Sequence, residues 1–141
     1  MKKEISTSIT IQASAQKIWT ILLNFEKYPD WNPFIRKIVG EPIVGNQLNI
    51  NITPPNGSNM NFKPQVLSHI PEKEFIWKGK LLFKGLFDGT HIFRLQENPD
   101  GSTTFIHKEE FSGILVGMIN LSNTEQGFKL MNQQLKSLAE Q

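Results

Sequence analysis

Residues 105–113 read FIHKEEFSG. In a strand this order sets Phe105, His107, Glu109 and Phe111 on one face and Thr104, Ile106, Lys108 and Glu110 on the other. An imidazole and a carboxylate then share a face with aromatic rings. Upstream, FDGTHIFRLQ places Gly89, His91, Phe93 and Leu95 on one parity in the same way. Between the two runs stands NPDG, residues 98–101, which has the preferences of a type I turn followed by a left-handed glycine. A three-residue loop of that kind pairs Asn98 with Ser102. Counting outward predicts Leu95 opposite Phe105, Phe93 opposite His107, His91 opposite Glu109 and Gly89 opposite Phe111. Directly opposed Cβ atoms lie ~4.5–5.5 Å apart, with His107 on the diagonal from His91 at ~7 Å.

Several chemistries fit two histidines and a carboxyl so placed. A carboxylate among phenylalanines is costly without a partner, so Glu109 is expected to be hydrogen-bonded or protonated, with His91 as the nearest partner. One reading is a satisfied polar pair that fixes sheet register. A second is a ligand-facing pair that orients a polar group on an apolar guest, since three ionisable groups exceed what a plain core requires. A third is general acid and base catalysis by His91, His107 and Glu109. A fourth is a metal site with the composition of a facial triad, but no further His, Asp or Glu clearly joins it, and no metal and no cofactor is expected.

Other chemistry-bearing residues read as structural. His69, beside Ile70 and Pro71, marks a strand end, and Glu110 falls on the solvated face. Ser112 precedes Gly113 without the GxSxG of a serine nucleophile. GKLLFKG lacks the following helix that a phosphate loop needs, and Gly79 marks a bend or bulge. Trp31, Phe34 and Trp77 either line a pocket or fill core. Gly127 lightens the contact of its helix with the sheet or softens the helix there.

The elements that must position these groups follow from periodicity. Ile5, Ile9 and Ile11, with Thr7 between them, draw a strand over residues 4–11, and Ser14 stands at the N-cap of a helix carrying Ala15, Ile18, Trp19 and Leu22. EKYPDWNPF suits a short helical turn or loop. Leu48, Ile50 and Ile52 alternate ahead of Met60, Phe62 and Val66, with PPNGSN as the turn of a hairpin. KEFIWKGKL adds a strand with Phe75, Trp77, Gly79 and Leu81 on one face. From about 117 to 138, Leu121, Thr124, Phe128, Met131, Leu135 and Leu138 form one stripe, a helix roughly 33 Å long at ~1.5 Å per residue. Strand, helix and turn, about six strands in meander and a terminal helix make an antiparallel α+β domain.

Composition bounds the function. With 141 residues, 38% hydrophobic and 20% charged, the chain fits one globular domain, 1–141. A net charge of +2 with scattered Lys and Arg gives no nucleic-acid footprint. The absence of cysteine removes disulfides, thiolate metal sites and cysteine nucleophiles. MKKEISTSITIQ alternates rather than forming a signal-peptide run, and no segment has the ~20 apolar residues of a membrane span, so a cytoplasmic location without integral membrane association is expected.

Taken in order, ITIQASAQKIWTIL, YPDWNPF, FIWKG, THIF and HKEEFSGIL before a terminal helix resemble the START-like or SRPBCC superfamily, over essentially the whole chain. That group includes polyketide cyclase and dehydratase-like proteins, lipid-transfer START domains and the birch-pollen allergen group. The resemblance implies a helix-grip fold, a seven-stranded antiparallel sheet wrapped around a long C-terminal helix with two short helices after the first strand. It implies a cavity that binds or transports a small hydrophobic or aromatic molecule. Carried over, it places Trp31, Asn32 and Phe34 near the mouth, Trp77, His91, Phe93, His107, Glu109 and Phe111 on the sheet wall, and Leu121 and Phe128 on the helix. The alternatives are a cyclase- or dehydratase-type lyase or isomerase using His91, His107 and Glu109 as acid-base groups, and a partner-binding module like the chaperone activators. Ligand identity and the choice between monomer and dimer are not set by the sequence.

Overall fold

A computed structural model describes residues 2–80, 88–113, 116 and 120–141. Strand β1 (Lys2–Ile11) buries Ile5, Thr7 and Ile11 on its inner face and leads into α1 (Ala15–Leu23). Ser14 caps α1, its hydroxyl oxygen accepting from the Lys17 amide at 3.1 Å. A 3₁₀ turn (Phe25–Lys27) and the short α2 (Tyr28–Trp31) follow, with Pro29 in the first turn, where a missing N–H costs nothing. Asn32 ends α2: its Oδ1 accepts from the Phe34 and Ile35 amides at 2.9 and 2.8 Å and turns the chain into β2 (Ile35–Val39).

The remaining elements are β3 (Asn49–Ile52), β4 (Met60–Phe62), β5 (Gln65–Ile70), β6 (Glu74–Lys80), β7 (Asp88–Glu97), β8 (Thr103–Ser112) and α3 (Ser122–Ala139). The β7–β8 ladder has the register that the NPDG turn predicts, with His91 opposite Glu109 and Phe93 opposite His107. The Asn98 amide donates to the Ser102 carbonyl at 2.9 Å, and Gly101 takes φ +89°, a conformation that only glycine adopts freely.

The strand count departs from expectation. All pairing is antiparallel, but the strands form a five-stranded sheet, β1-β8-β7-β6-β5, and a three-stranded sheet, β2-β3-β4, rather than one sheet of seven. Ile50 does pair with Phe62, yet Val66, expected in the same hairpin strand, belongs to β5. The reason is Pro64, which has no N–H to donate to a ladder. Its carbonyl accepts from Leu48 at 2.8 Å, and a single bridge, Gln47 with Gln65, links the two sheets there.

Helix α3 lies against β1, β8, α1 and α2. Its buried stripe is Phe128, Met131, Leu135 and Ala139, joined by Gly127 and Asn132. The helix begins at Ser122; the expected start near residue 117 falls among 117–119, outside the described residues, as do the expected strand position Leu81 and most of GKLLFKG. Among the described residues no helix is long and apolar enough to cross a membrane.

Candidate functional site

Five side chains from four elements form a continuous hydrogen-bonded row on the inner face of the large sheet. Glu109 Oε1 (β8) lies 3.0 Å from His91 Nδ1 (β7). His91 Nε2 lies 2.8 Å from His107 Nε2 (β8), and His107 Nδ1 lies 2.8 Å from Asn132 Oδ1 (α3). Asn132 Nδ2 donates to Thr7 Oγ1 (β1) at 2.9 Å, and Thr7 donates to the His107 backbone carbonyl at 2.8 Å. Thr7, His91, His107 and Asn132 are all buried, and Glu109 keeps 12% of its side chain exposed.

Aromatic rings clamp both imidazoles. His91 stacks on Trp77 with centroids 4.5 Å apart, and His107 stacks on Phe128 at 3.9 Å with planes within 6°. Phe93 meets both histidines edge-on at 5.0 Å. In so dry a setting charge is disfavoured. Burial pulls the His91 pKa down to about 3 and pushes the Glu109 carboxyl up to about 8. Burial, and then the neighbouring His91, hold His107 well below the ordinary imidazole range, against the opposing hydrogen bond that it donates to Asn132 Oδ1. Near neutral pH the row is therefore uncharged overall.

Of the residues singled out in the sequence, Phe34, Trp77, His91, Phe93, His107 and Phe128 are brought into one contiguous cluster, with Phe34 edge-on to Phe128 at 5.4 Å. Phe111 is buried opposite Gly89, one inward position beyond Glu109. Leu121 is half-buried at the N-cap of α3, and Trp31 packs its ring on Tyr28 at 5.2 Å, apart from the histidines. Trp31 Nε1 and Asn32 Nδ2, donors on successive residues, are both buried without a partner. His69 lies near the end of β5 against Phe75 and Trp19, and Nδ1 meets the Pro42 carbonyl.

Sequence reasoning missed Thr7 and Asn132. The signals were present: Thr7 interrupts the isoleucines of β1 on their own parity, and Asn132 stands four residues after Phe128 and three before Leu135, inside the apolar stripe.

The imidazoles aim ring nitrogens at each other rather than at a common point. Among the described residues no group of three or more His, Asp or Glu side chains could hold a metal ion. Among the described residues, a pocket of about 470 Å³ is lined by Gln47, Lys63, Lys78, Gly79 and Asp88, and one of about 360 Å³ by Lys2, Lys3, Thr90 and Phe111; neither includes His91, His107 or Glu109. Beside the row, however, the next inward positions on β6 and β7 are Gly79 and Gly89, paired with each other and without side chains. Pro64 and Phe62 close over Gly79, at 3.2 and 3.4 Å from where a Cβ would stand.

The architecture is an antiparallel sheet closed by a C-terminal helix, with a polar row on the sheet's inner face. The family model described as polyketide cyclase / dehydrase and lipid transport matches residues 2–141, and the chain belongs to that family. Comparison with curated proteins finds no match. Similar structures include ginseng major latex-like protein 151 from Panax ginseng, at TM-score 0.80 and 10% identity over 99% of this chain and 98% of that one. A START superfamily protein from Mycobacterium smegmatis gives TM-score 0.72 and 18% identity over 97% of each chain. The di-domain ARO/CYC StfQ from the steffimycin biosynthetic pathway gives TM-score 0.73 and 16% identity over 99% of this chain but 51% of that one, so the chain spans about half of StfQ. At these identities the likeness is one of fold.

Proposed function

We propose that this protein binds a small, largely apolar molecule between the large sheet and α3, with Glu109 as its polar contact. The observation that carries the reading is the position of Glu109. It is the accessible end of an otherwise buried polar row, and the inward row next to it holds Gly79 and Gly89 instead of side chains. Family membership supports it, because hydrophobic ligands are what this fold accommodates. The rings of Trp77, Phe93, His107 and Phe128 pack on one another, so the guest sits towards Glu109, Phe111 and Leu121 rather than over the histidines. Apolar burial at ~25 cal/mol per Å² supplies the affinity.

Titration with 1-naphthol, followed by calorimetry and native mass spectrometry, tests this. A 1:1 complex is expected, and Gly89→Leu, which puts a side chain at the inward position next to His91 and opposite Phe111, is expected to weaken it at least about tenfold without loss of cooperative unfolding. Unchanged affinity in Gly89→Leu sinks the placement.

A second reading is favoured by one feature, the Glu109 carboxyl held at about 8, where a general acid or base works best near neutrality. In that case the protein is a cyclase- or dehydratase-type enzyme. Glu109→Gln then lowers turnover by about a hundredfold or more. A pure binding role has no turnover to lose.

A further inference from the structure

The hydrogen-bonded row has a direction, and the direction determines what Glu109 can bind. The His107 backbone carbonyl only accepts, so Thr7 gives it its single hydroxyl proton. Thr7 Oγ1 must then accept from Asn132 Nδ2, which fixes the amide with Oδ1 facing His107. Oδ1 only accepts, so His107 carries its proton on Nδ1 and, being neutral, is bare at Nε2. That nitrogen accepts from His91, which therefore carries a proton on Nε2. Two arrangements remain at the Glu109 end. Either neutral His91 accepts at Nδ1 from a protonated Oε1, or the proton has crossed to give carboxylate and imidazolium. Oε2 is without a proton in both. A proton on Oε2 would require a cationic His91 beside a neutral acid, a net charge in a site walled by aromatic rings.

The bond of Glu109 to the row runs through Oε1, which leaves Oε2 outside the row, on the side chain that keeps 12% of its surface exposed. From this geometry we infer that the site selects guests that donate a hydrogen bond, a phenol, alcohol or N–H on an apolar body, and discriminates against ethers, ketones and carboxylates of the same shape. Thr7 and Asn132 are positioning residues: they touch no guest but orient the proton row that leaves Oε2 an acceptor. The inference rests on the binding reading above and adds the chemical class of ligand.

The test uses matched probes on the intact chain: 1-naphthol against 1-methoxynaphthalene, and phenol against anisole, by calorimetry. The hydroxyl probe of each pair is expected to bind about tenfold tighter, the size of one hydrogen bond whose loss strands a partly buried acceptor. Glu109→Gln preserves that preference, because its amide N–H donates to His91 Nδ1 and its carbonyl replaces Oε2. Glu109→Met abolishes it. In the unliganded chain, ¹⁵N NMR should find His107 protonated at Nδ1 and bare at Nε2, with that preference lost in Asn132→Leu. Equal binding of the paired probes overturns the inference while leaving the binding reading intact. Tighter binding of the ethers, or His107 protonated at Nε2, also overturns it. Failure of all four probes to bind overturns the binding reading and this inference with it.

Discussion

Glu109 and the two histidines shift in opposite senses, and the consequence is a stability profile with two limbs. His91 and His107 have folded pKa values below their unfolded value of 6.5, so the unfolded chain binds more protons and stability falls as pH drops below 6.5. Glu109 is raised from 4.5 to about 8, so the folded chain binds the extra proton; its contribution is fully present below 4.5 and is lost as pH rises through about 8. Denaturant titrations at pH 6.5 and 8 should show Glu109→Gln removing an alkaline loss of up to about 2 kcal/mol. An identical loss in both proteins refutes the shift. At this scale the His91–Glu109 pairing was legible, because NPDG is a turn whose length fixes register and register fixes partners. The Asn132–His107 contact was not, because no local rule specifies which inner-face residue, here one 25 positions earlier in sequence, an α3 side chain will meet.

Helix α3 shows an element whose own propensity yields to packing. Gly127 lies inside it, where alanine would favour the helix by about 1 kcal/mol. A Cβ there would stand 2.4 Å from Phe34 Cδ1 and 2.8 Å from Cε1, and that ring is buried edge-on to Phe128. Gly127→Ala is therefore expected to destabilise the protein by about 1–3 kcal/mol, the usual cost of overpacking. In a Phe34→Ala background the same change should be neutral or stabilising. A double-mutant cycle by chemical denaturation checks this, and additive effects would show that Phe34 is not the obstacle. The sequence revealed that a glycine interrupts an apolar helix; it did not reveal which residue needs the space, since Phe34 arrives from the other end of the chain. Strands and helices with strong alternation or a cap, such as β1, α1 and the β7–β8 hairpin, were legible from local pattern. The break at Pro64 was misread because Val66 continues the alternation of Met60 and Phe62 across a residue that has no N–H to donate.

At the scale of the molecule, the seam at Pro64 divides two sheets of unequal cohesion. Strands β1, β8 and β7 are each ten residues long and pair along their whole length, whereas β3 has four residues and β4 three. The proton row and the rings stacked on its histidines are carried by β1, β6, β7, β8 and α3, none of them a strand of the smaller sheet. Local opening needs only the hydrogen bonds and burial of the unit that opens, so β3 and β4 should open without disturbing the row. Native-state hydrogen exchange is expected to find the bonded amides of β3–β4 exchanging at free energies well below the global value, and those of β7–β8 near it. Saturation with 1-naphthol at about 100 times its Kd should then raise protection on β7–β8 by roughly 2.7 kcal/mol while changing β3–β4 much less. Equal protection of both sheets in the free protein, or an equal gain on binding, would mean that the bridge between Gln47 and Gln65 is enough to make the two sheets one cooperative unit.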